Sequence, residues 1–293
     1  MKVVVFDDGG LIGAETALSV RDHGHEVDLI PASKGFDSLT REKIAKSLRN
    51  CSVVIDLSHQ LSLDTGIVTD DHGLVMDEEA LAASWRLSTS ALLQAETAAG
   101  VTHHVSLSVV GVDRIRSEGV FRALQAQEVM IQRSGLAYSI VRSTQMFESA
   151  EDIATAGTED WMVWVPPVDV RPVSLTDVAT LLAHTAVSRP LIGVREIAGP
   201  EQFRLDAFVR AALTAQAEYR RVFTDIHSPF FGARLGPTDL LPGADAVIAP
   251  TSYREWFTSR PARESHERRG SGLPPDDACG PRRGSSDDGR SQG

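Results

Sequence analysis

Cysteine is nearly absent from this chain: Cys51 and Cys279 are the only two in 293 residues. They lie far apart, so no structural disulfide is expected and a reducing, cytoplasmic setting fits. No uninterrupted apolar stretch approaches the roughly 18 residues needed to span a bilayer. Met1 and Lys2 lead directly into Val3-Val4-Val5-Phe6, so no secretory leader is expected either. Positive charge is also in short supply. The formal net charge is −11 and no basic cluster precedes the C-terminal tail, which weighs against a nucleic-acid partner. Lysine occurs only at 2, 34, 43 and 46, and tyrosine only at 138, 219 and 253. No His or Cys spacing suggests a metal site, no nucleophile–base pair stands out, and there is no internal repeat.

Short apolar runs alternating with helical patterns are what the first 150 residues do contain. Strands are predicted at 3–6, 26–30, 52–57, 101–108 and 137–141, with helices at 11–22, 41–49, 78–99 and 121–133. Continuous apolar runs such as Val3-Val4-Val5-Phe6 suit strands buried on both faces. The alternation calls for an α/β fold, a doubly wound parallel sheet of the Rossmann-like type. Beyond residue 150 the spacing loosens. Strands are expected at 161–165, 170–173 and 195–198 and helices at 177–186 and 206–216, read together as a small C-terminal region covering the substrate. The domain reading is therefore 1–258, with a nucleotide-binding core at 1–150 and a mainly substrate-covering region at 151–258. From 259 to 293 Arg, Gly, Ser, Asp and Pro dominate, and Leu273 is the only large apolar side chain. That stretch cannot offset its ordering entropy and reads as a disordered tail.

The run Asp7-Asp8-Gly9-Gly10-Leu11-Ile12-Gly13 stands where the first strand turns into the first helix. In doubly wound sheets a dinucleotide's pyrophosphate rests there on helix N-terminal amides. Gly10 and Gly13 have the spacing that lets backbone approach phosphate and helix pack on sheet. Three further segments, His103-His104-Val105-Ser106-Leu107-Ser108-Val109-Val110-Gly111, Val141-Arg142-Ser143-Thr144-Gln145-Met146-Phe147 and Ala198-Gly199-Pro200, follow in order. With these segments residues 1–258 resemble the NmrA-like group of atypical short-chain dehydrogenase/reductases, whose usual turn is Gly-Gly-Thr-Gly-x-x-Gly. The resemblance implies a cofactor site at Gly9, Gly10, Leu11, Ile12, Gly13 and Ser58. Ser33 and Lys34 follow the second strand where a 2′-phosphate would lie, which favours NADP(H), although a solvent-facing loop lysine is the plainer reading. It implies a substrate-binding or catalytic serine at Ser108 and a pocket drawn from His59, Arg142, Gln145, Phe147 and Phe230, with His227 and Phe231 on a late loop.

Two departures from that pattern bear on function. The first two glycines of the turn are Asp7 and Asp8. A carboxylate ~6 Å from a phosphate costs about 2–3 kcal/mol at an effective dielectric of 20, against about 0.3–1 kcal/mol returned by a helix terminus. If both carboxylates instead face water, Asp-Asp-Gly-Gly is simply a good turn. The second departure is catalytic. Relatives use a tyrosine and, four residues on, a lysine on one helix face. The resemblance puts those positions at Val120 and Leu124, which cannot donate a proton. His59 alone has a pKa suited to proton transfer near neutrality, a surface histidine being the blander reading. His103 and His104 are expected at the solvent end of their strand.

Two readings follow. One is an NADP(H)-binding oxidoreductase-like enzyme for a small aromatic or polyketide-like substrate, working without the Tyr/Lys acid, with a cofactor-independent tailoring or coupling enzyme as a variant. The other is a catalytically silent NmrA-type dinucleotide sensor acting through a protein partner. A small-molecule substrate, a homodimer or protein partner, and no metal are the expected company.

Overall fold

The structure is a computed structural model that describes residues 1–7, 9–32, 41–59, 68–70, 73–75, 78–115 and 118–259, with Arg41 and residues 68–75 described by backbone alone. In chain order the elements are β1 (Lys2–Asp7), α1 (Leu11–Asp22), β2 (Glu26–Pro31), α2 (Arg41–Ser47), β3 (Val53–Leu57), β4 (Val68–Asp70), β5 (Gly73–Val75), α3 (Glu78–Ala99) and β6 (His103–Val109). Then come α4 (Gly119–Arg133), β7 (Tyr138–Ser143), α5 (Ala150–Ala156), β8 (Thr158–Glu159), β9 (Met162–Val165), β10 (Asp169–Val170) and α6 (Leu175–Val187). The remainder is β11 (Gly193–Ala198), β12 (Phe203–Arg204), α7 (Leu205–Ala215), β13 (Arg221–Thr224), β14 (Val247–Ile248) and α8 (Tyr253–Ser259).

Seven strands form one parallel sheet in the order β14-β11-β7-β6-β3-β1-β2. Side chains alternate between its faces. Val3 and Val5 of β1, with Ile55 and Leu57 of β3, pack with Ile12, Ala17 and Val20 of α1 and Val178 and Leu182 of α6. Val4, Phe6 and Val54 point the other way, onto Ile44, Leu48 and Leu92. Both faces are covered, which is why these strands read as unbroken apolar runs. A further core joins Val120, Phe121 and Leu124 of α4 to residues from Phe147 through Leu240.

The strand order places β1 between β2 and β3, so the chain reverses its winding between β1 and β3, the topological switch point where doubly wound sheets bind ligands.

The chain beyond residue 150 is less separate than its sequence suggests. β11 and β14 extend the main sheet, and α6 packs against α1 on its face. The small sheet β13-β9-β8 and α5, α7 and α8 lie outside that layer. The strand expected at 170–173 is confined to β10, paired antiparallel with β12. Trp161, expected to open a strand, sits in the β8–β9 turn with φ +66°. Ser259 closes α8 rather than opening the tail, and residues 260–293, read as disordered, lie outside the described residues.

Candidate active site

At the carboxyl end of β1 the chain turns through Gly9, at φ +101°, into Gly10, the N-cap residue of α1. Gly10 has no side chain with which to cap the helix, and the first turn of α1 carries no acidic residue. Asp7 lies directly beneath. It is 3% exposed, and its Oδ2 accepts the Gly9 N–H at 2.9 Å. A Cβ built on Gly13 would fall 2.3 Å from Asp7 Cγ and 2.6 Å from Oδ1. Gly13 is thus required because the Asp7 side chain already fills the space between β1 and the first turn of α1. The turn with both carboxylates in water is corrected for Asp7, which points inward; Asp8 is outside the described residues.

Beside this turn is a cavity of about 270 Å³. Its wall is built from Gly10, Leu11 and Ile12 at the start of α1, Leu107, Ser108 and Val109 at the end of β6, and Ser143 at the end of β7 with residues 144–146 after it. His59, Glu148, Asp152, Leu175 and Phe231 contribute to the rest, and among the described residues no lysine or arginine lines it. Gln145 is set rigidly, because its carbonyl accepts the Val173 N–H at 3.0 Å and the Phe147 N–H donates back to Val173 at 2.9 Å. Ser108 is 4% exposed and Gln145 5%. Among the described residues neither the Ser108 hydroxyl nor either polar atom of the Gln145 amide has a hydrogen-bond partner. A buried polar group left so costs about 1–3 kcal/mol, and such groups in a cavity wall are what a bound polar molecule can satisfy. Glu148 closes one side, its carboxylate accepting the Trp256 indole N–H at 2.7 Å and the Leu175 N–H at 3.2 Å. It therefore sits at the N-terminus of α6, where a negative charge is favoured.

His59 lines the cavity but faces the protein with both nitrogens. Its Nε2 lies 2.9 Å from Ser88 Oγ, and its Nδ1 lies 3.1 Å from both Gln127 Nε2 and Ser58 Oγ. Gln127 Nε2 also donates to Asp56 Oδ2 at 3.2 Å, and the Ser58 hydroxyl donates to Asp56 Oδ1 at 2.5 Å. Every donor finds an acceptor if Nε2 carries the proton and Nδ1 accepts from Gln127, an assignment made from the network. Burial lowers the His59 pKa, opposed by the nearby Asp56 charge. The ring, stacked at an angle on Trp85 with centroids 4.6 Å apart, is a neutral wall. It is buried rather than a surface histidine, and it presents no free nitrogen to the cavity.

Several expected pocket residues are elsewhere. Arg142 shares its face of β7 with Ile140 and lies under α4. There its Nε and Nη2 donate to Glu128 Oε1 and Oε2 at 2.9 and 2.7 Å, and its Nη1 donates to Asp113 Oδ2 at 2.6 Å. Burial works against the Asp113 carboxylate, yet the Arg142 guanidinium holds its pKa below the usual value. Phe147 is buried in an aromatic cluster, 5.3 Å from the Tyr253 ring and 5.2 Å from that of Trp256. Phe230 packs on Phe121, and its neighbour Phe231 takes the cavity wall instead. Ser58 is bound to Asp56 and does not line the cavity, nor do Gly9 and Gly13. His227 is exposed. Ser33 and Lys34 lie outside the described residues.

Val120 and Leu124 are 0% and 1% exposed in the apolar core and do not line the cavity. His103 and His104, expected near solvent, are buried. The first meets Ser139 Oγ at 2.9 Å and the second the Glu96 carboxylate at 3.0 Å. Residues not anticipated from sequence are Asp56, Ser88, Gln127, Glu148 and Asp152. A readable signal exists for Asp56, a lone carboxylate inside the otherwise apolar Val53–Leu57 strand.

No family model and no curated protein matches the sequence. Solved structures match the fold. MoeE5 in complex with UDP-glucose and NAD is 17% identical with a TM-score of 0.61, over 88% of this chain and 96% of that one. UDP-glucose 4-epimerase of Thermus thermophilus, complexed with NAD, is 16% identical with a TM-score of 0.57, over 81% and 91%. The dTDP-4-dehydrorhamnose reductase of Bacillus anthracis, complexed with NADP, is 12% identical with a TM-score of 0.57, over 76% and 84%. At these identities the likeness establishes the fold, a Rossmann-like α/β sheet. Among the described residues no group of three His, Cys, Asp or Glu could hold a metal ion, and no helix is long and apolar enough to cross a membrane.

Proposed function

We propose that this chain is an oxidoreductase-like protein of the NmrA-like kind that binds a nicotinamide dinucleotide along the carboxyl edge of its sheet and a small molecule in the adjoining cavity. One observation carries this reading: a single cavity is walled by both the first turn of α1, entered through a glycine N-cap, and the ends of β6 and β7. Solved proteins of the same fold were crystallised with NAD or NADP. The turn suits a pyrophosphate in shape, since Gly10 at the N-cap puts no side chain of its own in the way and Gly13 brings the helix against β1. Asp7 opposes it in charge. Ser33 and Lys34 are the ground for preferring NADP(H).

When bound, the nicotinamide would supply hydride chemistry. The chain's own residues would position and select. Ser108 and Gln145 can take up a polar group of the substrate, while Leu107, Val109, Met146, Ile153 and Phe231 enclose its apolar body. A volume of about 270 Å³ lies just below the roughly 300–1,000 Å³ of pockets for drug-sized ligands. With Glu148 and Asp152 in the wall, and no cation among the described residues that line it, the cavity disfavours phosphorylated or carboxylate substrates. Sugar nucleotides of the kind crystallised with the proteins of shared fold are therefore poor candidates, and an uncharged aromatic or polyketide-like molecule suits it. The protein's contribution is then mainly positioning, without the usual tyrosine and lysine acid pair.

A second reading, the silent sensor, draws on the core burial of Val120 and Leu124 and on the engaged nitrogens of His59. The test is NADPH and NADH binding by nicotinamide fluorescence, followed by oxidation of NADPH against a panel of quinones and aromatic ketones. Binding with turnover supports the enzyme, and binding without turnover the sensor. Absence of binding to either nucleotide removes both.

A further inference from the structure

We propose that the Asp7 side chain is a built-in competitor for the anionic part of the dinucleotide, so that the cofactor is held weakly and exchanged rather than kept as a resident group. This rests on the dinucleotide reading above. Asp7 ends β1 between Pro31 of β2 and Leu57 of β3, its parallel partners on the two sides of the switch point. Its carboxylate is 3% exposed and takes the Gly9 N–H, an amide of the turn on which an incoming phosphate would settle. Its Cγ and Oδ1 occupy the place a Gly13 Cβ would need, so the carboxylate lies against the first turn of α1, at the positive end of that helix dipole. The chain thus supplies its own anion to a helix end whose N-cap residue is glycine and whose first turn carries no acidic residue.

A phosphate arriving there meets a like charge a few ångströms away, and it finds the Gly9 amide already engaged. Nothing among the described residues of the cavity wall compensates, because none of them is a lysine or arginine. Repulsion of that size weakens binding by about tenfold to a hundredfold, and such differences show mainly in dissociation. A weakly held cofactor suits a protein that takes up one redox form and releases the other, or one that reports the dinucleotide pool. It does not suit chemistry in which the same molecule is reduced and reoxidised in place.

The experiment is calorimetric and stopped-flow titration of the full chain with NADPH and NADH, in wild type, Asp7→Asn and Asp7→Gly. Asp22→Asn, at the far end of α1, controls for net charge. Asparagine keeps the size and the acceptor for Gly9 while removing the charge; glycine removes both. Thermal unfolding of each variant establishes that it is folded. Both Asp7 variants are expected to bind at least tenfold more tightly through slower release, with Asp22→Asn unchanged. Tightening in Asp7→Gly alone also supports the competitor, acting by volume. If wild type binds and neither Asp7 variant is tighter, the competitor is overturned and the dinucleotide reading stands. If no form binds either nucleotide, the dinucleotide reading itself has failed.

Discussion

Arg142 and Glu128 face each other as a fork on a fork, with guanidinium nitrogens 2.9 and 2.7 Å from the two carboxylate oxygens and both side chains under 10% exposed. The pair ties β7 to α4 beneath the sheet edge. Removing Glu128 leaves Arg142 with the half-exposed Asp113 carboxylate as its remaining close partner, a loss toward the lower end of the about 3–5 kcal/mol that breaking a buried pair costs. Glu128→Ala is expected to lose that much in urea unfolding. The double change Arg142→Met with Glu128→Leu should recover most of it, since well-packed apolar replacements are often neutral. A Glu128→Ala protein within about 1 kcal/mol of wild type would mean the fork carries little.

Ser108 and Gln145 should trade stability for binding. Replacing an unpartnered buried polar group by an apolar one of similar size removes its desolvation cost. Ser108→Ala and Gln145→Leu are therefore expected to stabilise the ligand-free protein by about 1 kcal/mol each. Both should weaken whatever small molecule the cavity holds. Denaturant midpoints and ligand titration on the same samples read the two effects. Destabilisation by both changes would show that these groups are already satisfied in the free protein.

Restoring the usual acid pair should fail. Val120 and Leu124 are 0% and 1% exposed, packed with Phe121 and Phe231. A lysine at 124 would bury an ammonium among apolar side chains, and tyrosine at 120 would overpack the core. The double change Val120→Tyr with Leu124→Lys is expected to lower the melting temperature sharply and to add no NADPH oxidation. Gain of reductase activity in a folded double variant would contradict the burial of this face.

His103 makes a pH prediction with a definite sign. Burial pulls its pKa from 6.5 down to about 4. Between these values the unfolded chain binds more protons than the folded one, so this group's contribution rises with pH across that window and is lost as pH falls through it. Burial pulls His59 the same way. In the coupled His104–Glu96 pair, burial opposes the charged form of His104, but Glu96 beside it holds its pKa up, and burial raises that of Glu96. The comparison with His103→Gln isolates the one group. Unfolding midpoints of wild type should climb more steeply from pH 4 to 6.5 than those of His103→Gln, and parallel curves would remove the claim.

The sheet was legible from sequence because strands buried on both faces advertise themselves as apolar runs. The helices Leu11–Asp22 and Glu78–Ala99 matched their expected limits at both ends. The site was less so. The family resemblance places Arg142 in the pocket, yet period-two alternation sends it to the α4 face. Phe147 and Phe230 are drawn away by partners remote in sequence, Trp256 and Phe121, and no local pattern reveals those. Asp56 and His59 at β3, Ser88 of α3 and Gln127 of α4 meet across three elements, so only the lone carboxylate in an apolar strand hinted at their network. β11 and β14 joining the main sheet likewise depends on long-range pairing that the loosened spacing after residue 150 conceals.

Whether this fold still holds a nicotinamide dinucleotide at the β1–α1 turn is tested most directly by calorimetric titration of the wild-type chain with NADPH and with NADH. The expected result is saturable one-to-one binding, tighter for NADPH, at an affinity low enough that the protein purifies without it. No heat with either nucleotide at millimolar concentration would contradict the account.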